Sequence, residues 1–423
     1  MTSLLLKNGL LVDPAEDPTR PRRADLLVDG TRIAEIGPDL AVGSDVTVID
    51  ATHRIVLPGF VDTHRHTWQA AIRMIDPDDT LGGYLQRILN TIAPNYRPQD
   101  IHAATLAGAV EALDSGITTL VDWSHLQLTP EHTDAAIDAL RASGIRAQFG
   151  YGSPSLAGPD AASTPMPTDI RRVHATLDDP LVTLIIAARG PGFSSPEVAR
   201  AEWQLARELG VPISVHAHGD DLIDFLRDED LLGPDILYAH ANQFTDKALQ
   251  TVADSGGGLS IAPIVEAQMG HGQPITGRAL AAGVNTGLAV DAMTSTSTDM
   301  FSVMRVAYSL ERAKTSITSA QILRMATTGG AEAAGLADRV GALRPGMQAD
   351  LMVLRTDTLS MAPLHDPVAA IVMNADRSAV DTVLVAGRIV KQAGAIAHHN
   401  VTEIVERVTE SGTYLAKSIG TPR

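Results

Sequence analysis

The chain has 423 residues, 44% of them hydrophobic and 20% charged, with a formal net charge of −17 from 33 basic and 50 acidic side chains. Globular usage of this kind excludes a disordered or fibrous chain, and the acidic balance argues against nucleic acid and anionic membranes as partners. Cysteine is absent, which excludes disulfides, thiolate nucleophiles and Cys-ligated zinc or iron–sulfur centres, so any metal here is held by His, Asp or Glu.

In chain order, the start MTSLLLKNGLLVD is apolar but interrupted by Lys7 and Asn8, without the basic region and cleavage site of a signal peptide. No apolar run reaches ~18 residues, so no membrane span is expected and the default location is cytoplasmic. Residues 1–57 predict short alternating strands with turn signals: LLLKNGLLV, ADLLVDGTRIAEIG around Asp29–Gly30, and VTVIDATHRIVL. Residues 345–400 return to that pattern in PGMQADLMVLR and DTVLVAGRIVKQAG. Neither flank is large enough alone to bury a core, so together they predict one small β-sandwich-like domain.

The centre repeats a different phrase, an apolar-periodic stretch that ends in Gly and runs at once into a β-branched segment. It reads ALDSG-ITTLVDW at 112–123, LRASG-IRAQFGYG at 140–152, ARELG-VPISVHAHG at 206–219 and ALAAG-VNTGLAVD at 279–291. Gly there suits a left-handed helix end, and the run after it suits a strand buried on both faces. PGFVDTHRH (58–66), DPLVTLIIAARG, PDILYAHAN and GGLSIAPI complete a set of eight strands. Eight strands alternating with helices predict an α/β chain with a closed (β/α)8, TIM-like barrel over 58–344. A doubly wound open sheet is the competing reading, but it would carry a Gly-rich phosphate turn early in the domain. Residues 401–423 are expected as a terminal helix and tail, and Pro-rich 153–168 as a loop over the barrel mouth.

Asp62-Thr63-His64-Arg65-His66 closes the first strand, and its two-residue spacing aims His64 and His66 to one side at the C-terminal mouth, where barrel enzymes carry their chemistry. Alone, this pair is either ligating or a satisfied polar pair of the core. Strand five, however, ends in His216-Ala217-His218, strand six in His240 and strand eight in Asp291. Burying so many polar groups without partners is costly, and a divalent cation is the simplest common partner. His125 at the end of strand two either lines the pocket or caps the strand, and His271 in the loop after strand seven is a candidate substrate contact.

PGFVDTHRH followed by TWQAAIR, the strand-five and strand-six His, the strand-eight Asp, MGHGQP and ALRPGMQADLMVL resemble the amidohydrolase superfamily along almost the whole chain. Within it they are most similar to the branch of cytosine, guanine and adenosylhomocysteine deaminases and triazine chlorohydrolases. The resemblance implies one zinc (or iron) held by His64, His66, His216 and Asp291, with His240 orienting a water beside it. It implies Asp291 as the proton-transfer group, a small-molecule substrate met by Trp68 and Gln69, and a homo-oligomer. Arg189 ends strand four where two-metal members carry a bridging lysine, which favours one metal and makes Arg189 a candidate substrate contact.

One departure from the branch concerns the reaction itself. The deaminases carry a proton-shuttling Glu three residues after the strand-five His, and this chain has Gly219 there. His218, Asp220 and Glu266 are the candidate replacements, with His218 and Glu266 expected on the substrate side of the metal. Glu266 paired to a surface cation is the alternative. The leading expectation is hydrolytic deamination of a nitrogen heterocycle. The others are cyclic amide hydrolysis, dehalogenation or a lyase or decarboxylase step at the same site, and a non-catalytic scaffold.

Overall fold

The structure, a computed structural model, describes residues 3–154 and 160–419. Positions 155–159 of the expected 153–168 loop and the last four residues of the expected tail lie outside the described residues.

Five strands precede the barrel: β1 (Leu4–Leu11), β2 (Arg22–Asp29), β3 (Arg32–Gly37), β4 (Thr47–Asp50) and β5 (Arg54–Pro58). The barrel strands are β6 (Phe60–Arg65), β7 (Ile117–Ser124), β8 (Arg146–Gly152), β9 (Val182–Ala188), β10 (Ile213–Ala217), β11 (Ile236–His240), β12 (Gly258–Ile261) and β13 (Asn285–Leu288). Four more follow: β14 (Leu351–Arg355), β15 (Val380–Val385), β16 (Arg388–Gln392) and β17 (Ala395–Ile396). The flanking strands form one nine-stranded sheet in the order β17-β16-β15-β14-β5-β1-β2-β3, with β4 also paired to β1. Its join is the antiparallel ladder of β5 on β14, which knits the two ends of the chain together.

The eight barrel strands run parallel in sequence order. All eight residues of β7 are buried, as expected where both faces of a strand are covered. The four glycines of the repeated phrase, Gly116, Gly144, Gly210 and Gly283, all have positive φ, the left-handed turn that ends a helix without a Cβ penalty.

Barrel closure and the functional mouth are built by the same atoms. Asp291 N–H donates to the His64 carbonyl oxygen at 2.8 Å and His66 N–H to that of Asp291 at 3.3 Å. Below them, Asp62 Oδ1 accepts from Val290 N–H at 3.1 Å and Asp62 Oδ2 from Arg65 Nε at 2.8 Å. Arg65 and Asp62 are fully buried, so the pair welds strand one to strand eight where water cannot compete.

The two units share one continuous chain. β5 runs into β6 with Gly59 alone between them, and a Cβ at Gly59 would collide with Thr118. Arg146 of β8 grips Asp350 with bonds of 2.8 and 3.0 Å, and Asp350 also accepts from Ala386 N–H at 2.8 Å. The helix Pro367–Met373, inside the second flank, packs on the barrel helices Met300–Arg312 and Ser319–Met325. The terminal helix Val401–Ala416 lies on Pro98–Asp114. No helix among the described residues is long and apolar enough to cross a membrane.

Candidate active site

The strand ends converge on one cluster of imidazoles around a carboxylate. Asp291 Oδ1 lies 3.4 Å from His64 Nε2 and 3.2 Å from His66 Nε2, and its Oδ2 lies 3.6 Å from His240 Nε2. The His216 ring is 4.9 Å from that of His64, centre to centre. Donor atoms of His64, His66 and Asp291, and of His64, His216 and His240, each fall within 4.8 Å of one another.

These residues fit a divalent metal. Both ring nitrogens of His64 are buried and, among the described residues, without a hydrogen-bond partner, an arrangement that a cation relieves. Burial holds the His64 imidazole down at about 4 against the pull of Asp291, and holds His216 well below the ordinary histidine range. Both rings are therefore neutral at pH 7, the form that ligates. Burial alone would raise Asp291, but the His64 and His66 imidazoles against it, and His240 beside it, keep it well below the usual carboxylate range. His66 Nδ1 is 2.7 Å from the Trp123 carbonyl oxygen. That carbonyl accepts from Nδ1–H and leaves the Nε2 lone pair available to a metal.

Above the cluster opens a cavity. Its inner end carries His66, His125, His216, His218, His240, His271 and Asp291, and its outer wall is largely apolar, with Leu81, Leu85, Leu89, Phe193, Val265 and Met269. His218 packs against Phe193, ring centres 5.3 Å apart, and His271 sits 4.7 Å from His240. Burial depresses both His218 and His271 to about 4. His125 does line the cavity, stacked near-parallel to His216 at 6.2 Å.

Four expected residues take other places. Trp68 is buried against Tyr96 and His125 and is not among the residues lining the cavity. Gln69 is also off the wall, donating to Tyr84 Oη at 2.6 Å and accepting from Met293 N–H at 2.9 Å. Both lie in the single turn Thr67–Ile72, which folds back into the core after β6. Asp220 accepts from the backbone and hydroxyl of Thr245 at 2.9 and 2.6 Å, tying two helix starts together away from the imidazole cluster. Glu266 is fully buried behind His240, neither on the substrate side nor paired to a surface cation, because Pro263–Met269 is a helix that turns it inward. Arg189 reaches the cavity wall, but its guanidinium is bound to Glu202 at 3.1 Å and to the carbonyls of Ala161 and Thr164.

The sequence reading missed Trp123, whose ring lies 4.1 Å from that of His216. It precedes His125 by two residues at the end of β7, so the spacing that found His64 and His66 could have found it. Leu81, Leu85 and Leu89 were missed as well. Their four-residue spacing marks one helical face, here the face of Leu81–Tyr84 and its continuation Leu85–Ile92 over the mouth.

Residues 55–390 match the amidohydrolase family. A 5-methylthioadenosine/S-adenosylhomocysteine deaminase of Pyrococcus horikoshii is 25% identical over 96% of this chain and 98% of its own length. A 5'-deoxyadenosine deaminase of Methanosarcina mazei is 24% identical over 99% of this chain and all of its own. Among solved structures, a zinc-bound adenosine deaminase from Xanthomonas campestris superposes with a TM-score of 0.89 at 21% identity, covering 98% of each chain. An atrazine chlorohydrolase from Arthrobacter aurescens, complexed with zinc, gives 0.84 at 23% identity over 97% of this chain and 100% of its own. The matched span includes all eight barrel strands and the strand ends that carry the imidazole cluster, and the chain belongs to the amidohydrolase family.

Proposed function

We propose that this chain is a zinc-dependent aminohydrolase that releases ammonia or an amine from an electron-poor carbon of a nitrogen heterocycle. The observation that carries the reading is the placement of Asp291 against His64, His66 and His240 at the floor of a cavity whose inner end is lined by flat rings. The deaminase names of the full-length relatives support the same chemistry.

His64, His66, His216 and Asp291 would hold the ion. When bound, it would lower the pKa of a water to about 7 and make a nucleophile available at neutral pH. Asp291 is an ionised carboxylate at the reacting centre and can take the proton released on attack, then deliver it to the departing nitrogen. His240 Nε2, on the other side of Asp291 Oδ2, orients the attacking group. Trp123 and His125 line the cavity with aromatic rings, which suit a flat substrate. His218 and His271, neutral above about 4, each offer a hydrogen-bond donor or acceptor to ring nitrogens.

Gly219 favours a second reading. It has no side chain to move a proton and starts the helix Asp220–Asp228, so a reaction that needs no ring-nitrogen protonation fits the site as well. Cyclic amide hydrolysis, loss of halide, and a lyase or decarboxylase step are of this kind. The test is ammonia release by the zinc-loaded and the iron-loaded protein across purines, pyrimidines, pterins and aminotriazines, beside a chelated control. Ammonia that depends on added metal is the expected result. Halide or ring-opened product without ammonia would move the assignment to the second reading.

A further inference from the structure

Glu266 is the buried carboxylate that the reaction as written does not use. Three donors converge on it: Ala262 N–H at 2.8 Å and His240 Nδ1 at 3.3 Å on Oε1, and Asn242 Nδ2 at 3.0 Å on Oε2. The backbone N–H is an obligate donor, and the amide is oriented to give rather than take, so the carboxylate acts here as an acceptor. Among the described residues, no Lys or Arg pairs with Glu266, and the titratable side chain against it is His240. A carboxylate buried at zero exposure is costly unless hydrogen-bonded partners answer it, and one of those partners is an imidazole facing the cluster at the barrel mouth.

The backbone supplies the second observation. His240 and Ala241 have φ of +75° and +57°, a left-handed conformation that residues with a Cβ adopt at a cost. The chain thus bends sharply where the imidazole is presented, and the ring is held from a different element, by Glu266 of the helix Pro263–Met269. Other rings at the mouth are held differently: His66 has a neutral carbonyl behind it, and His64 and His271 have no hydrogen-bond partner at either nitrogen.

We infer that Glu266 is a positioning residue: it accepts a hydrogen bond from Nδ1–H of His240 and fixes the tautomer and ring orientation that turn Nε2 toward Asp291 and the metal ligands. This deepens the proposed function and rests on His240 standing at the reacting centre. A carboxylate behind an imidazole sets the ring orientation and makes its far nitrogen a better acceptor. The geometry gives Glu266 this role through the ring and not through contact with substrate, since Val265 and Met269 of the same helix line the cavity and Glu266 does not.

The bland role for the same contacts is helix capping, because Glu266 also satisfies Ala262 N–H at the start of Pro263–Met269. The test separates the two. In the zinc-loaded, 15N-histidine-labelled protein, the His240 ring is expected to carry its proton on Nδ1, with Nε2 bare. Glu266→Gln keeps an acceptor for the Ala262 N–H and His240 Nδ1 donors. Its amide can give to Asn242 Oδ1, which is otherwise buried without a partner, so the variant should fold and keep the tautomer. Glu266→Ala should lose it while still binding one zinc.

On whichever ring releases ammonia, Glu266→Ala should lower kcat roughly 10–100-fold with KM little changed, and Gln should restore the larger part. The tautomer measurement needs no substrate, so it stands even where no panel compound reacts. Wild-type protein with a bare Nδ1, or Glu266→Ala with the wild-type tautomer, would overturn the inference.

Discussion

His66 Nδ1 meets the Trp123 carbonyl oxygen at 2.7 Å, so the last turn of β7 decides which nitrogen His66 turns toward Asp291. An imidazole whose far side is fixed in this way would need no reorganisation to bind a cation. Replacement of His64, His66, His216 or Asp291 by Ala should each lower zinc affinity by 100-fold or more. Equilibrium dialysis and metal analysis measure it. His125→Ala, whose ring also reaches the mouth but lies outside the ligand groups, should retain stoichiometric metal. Loss of metal from the His125 variant would mean that the ligand set is drawn wrongly.

Arg189 and Glu202 make a different prediction, because sequence position alone suggested a substrate contact. Arg189 Nε meets Glu202 Oε1 at 3.1 Å, and Arg189 N–H meets Glu202 Oε2 at 2.9 Å. Both side chains are almost wholly buried. Removing one partner strands a buried charge, which costs about 3–5 kcal/mol. Glu202→Ala should therefore lower the urea midpoint strongly, and Arg189→Met combined with Glu202→Leu should recover much of the loss. If Glu202→Ala instead left stability intact and raised KM, Arg189 would belong to the substrate after all.

These two residues show what the chain order made legible. Eight apolar runs, the helix-ending glycines and His or Asp at strand ends are local patterns, and each reports a face or a turn directly. That was enough to place His64, His66, His216, His240 and Asp291 on one rim. The partners of those groups are not local. Glu202 pairs with a residue 13 positions away through a helix packed on β9. Glu266 finds His240 across 26 positions because Pro263–Met269 is a helix and not a loop. Trp68 and Gln69 follow the His pair in sequence, yet the turn Thr67–Ile72 carries them into the core. Which wall a side chain joins depends on such turns, and composition does not encode them.

The outer wall yields a specificity prediction. Leu81, Leu85 and Leu89 present one face of the helical segment after β6 to the cavity. Apolar surface buried there contributes roughly 25 cal/mol per Å². Leu85→Ser should raise KM about 3–10-fold for a ring bearing an apolar substituent, with kcat nearly unchanged, because the wall is remote from Asp291 and binds ground and transition states alike. Steady-state kinetics on a substituted and an unsubstituted ring would show it. An equal fall in kcat for both rings would mean that the segment shapes the reacting centre rather than the substituent pocket.

The floor of the barrel gives the last test, in stability alone. Gly258 opens β12, and a Cβ there would overlap the backbone of Ala333, including its carbonyl oxygen. Backbone cannot yield as a flexible side-chain tip can, so the helix Thr328–Ala333 would have to shift away from the strand. That contact closes the end of the barrel opposite the mouth, where Val61, Val121, Ile185 and Leu237 meet Ala331 and Leu336 in a separate apolar cluster. Overpacking of this kind costs about 1–3 kcal/mol. Gly258→Ala should lower the melting temperature by several degrees with metal content and kcat retained in the folded fraction. Gly192 has open space around its Cβ position and no positive φ, so Gly192→Ala is the matched control and should leave stability unchanged. Equal stability of the two variants would show that the helix can move without loosening the cluster beneath the active site.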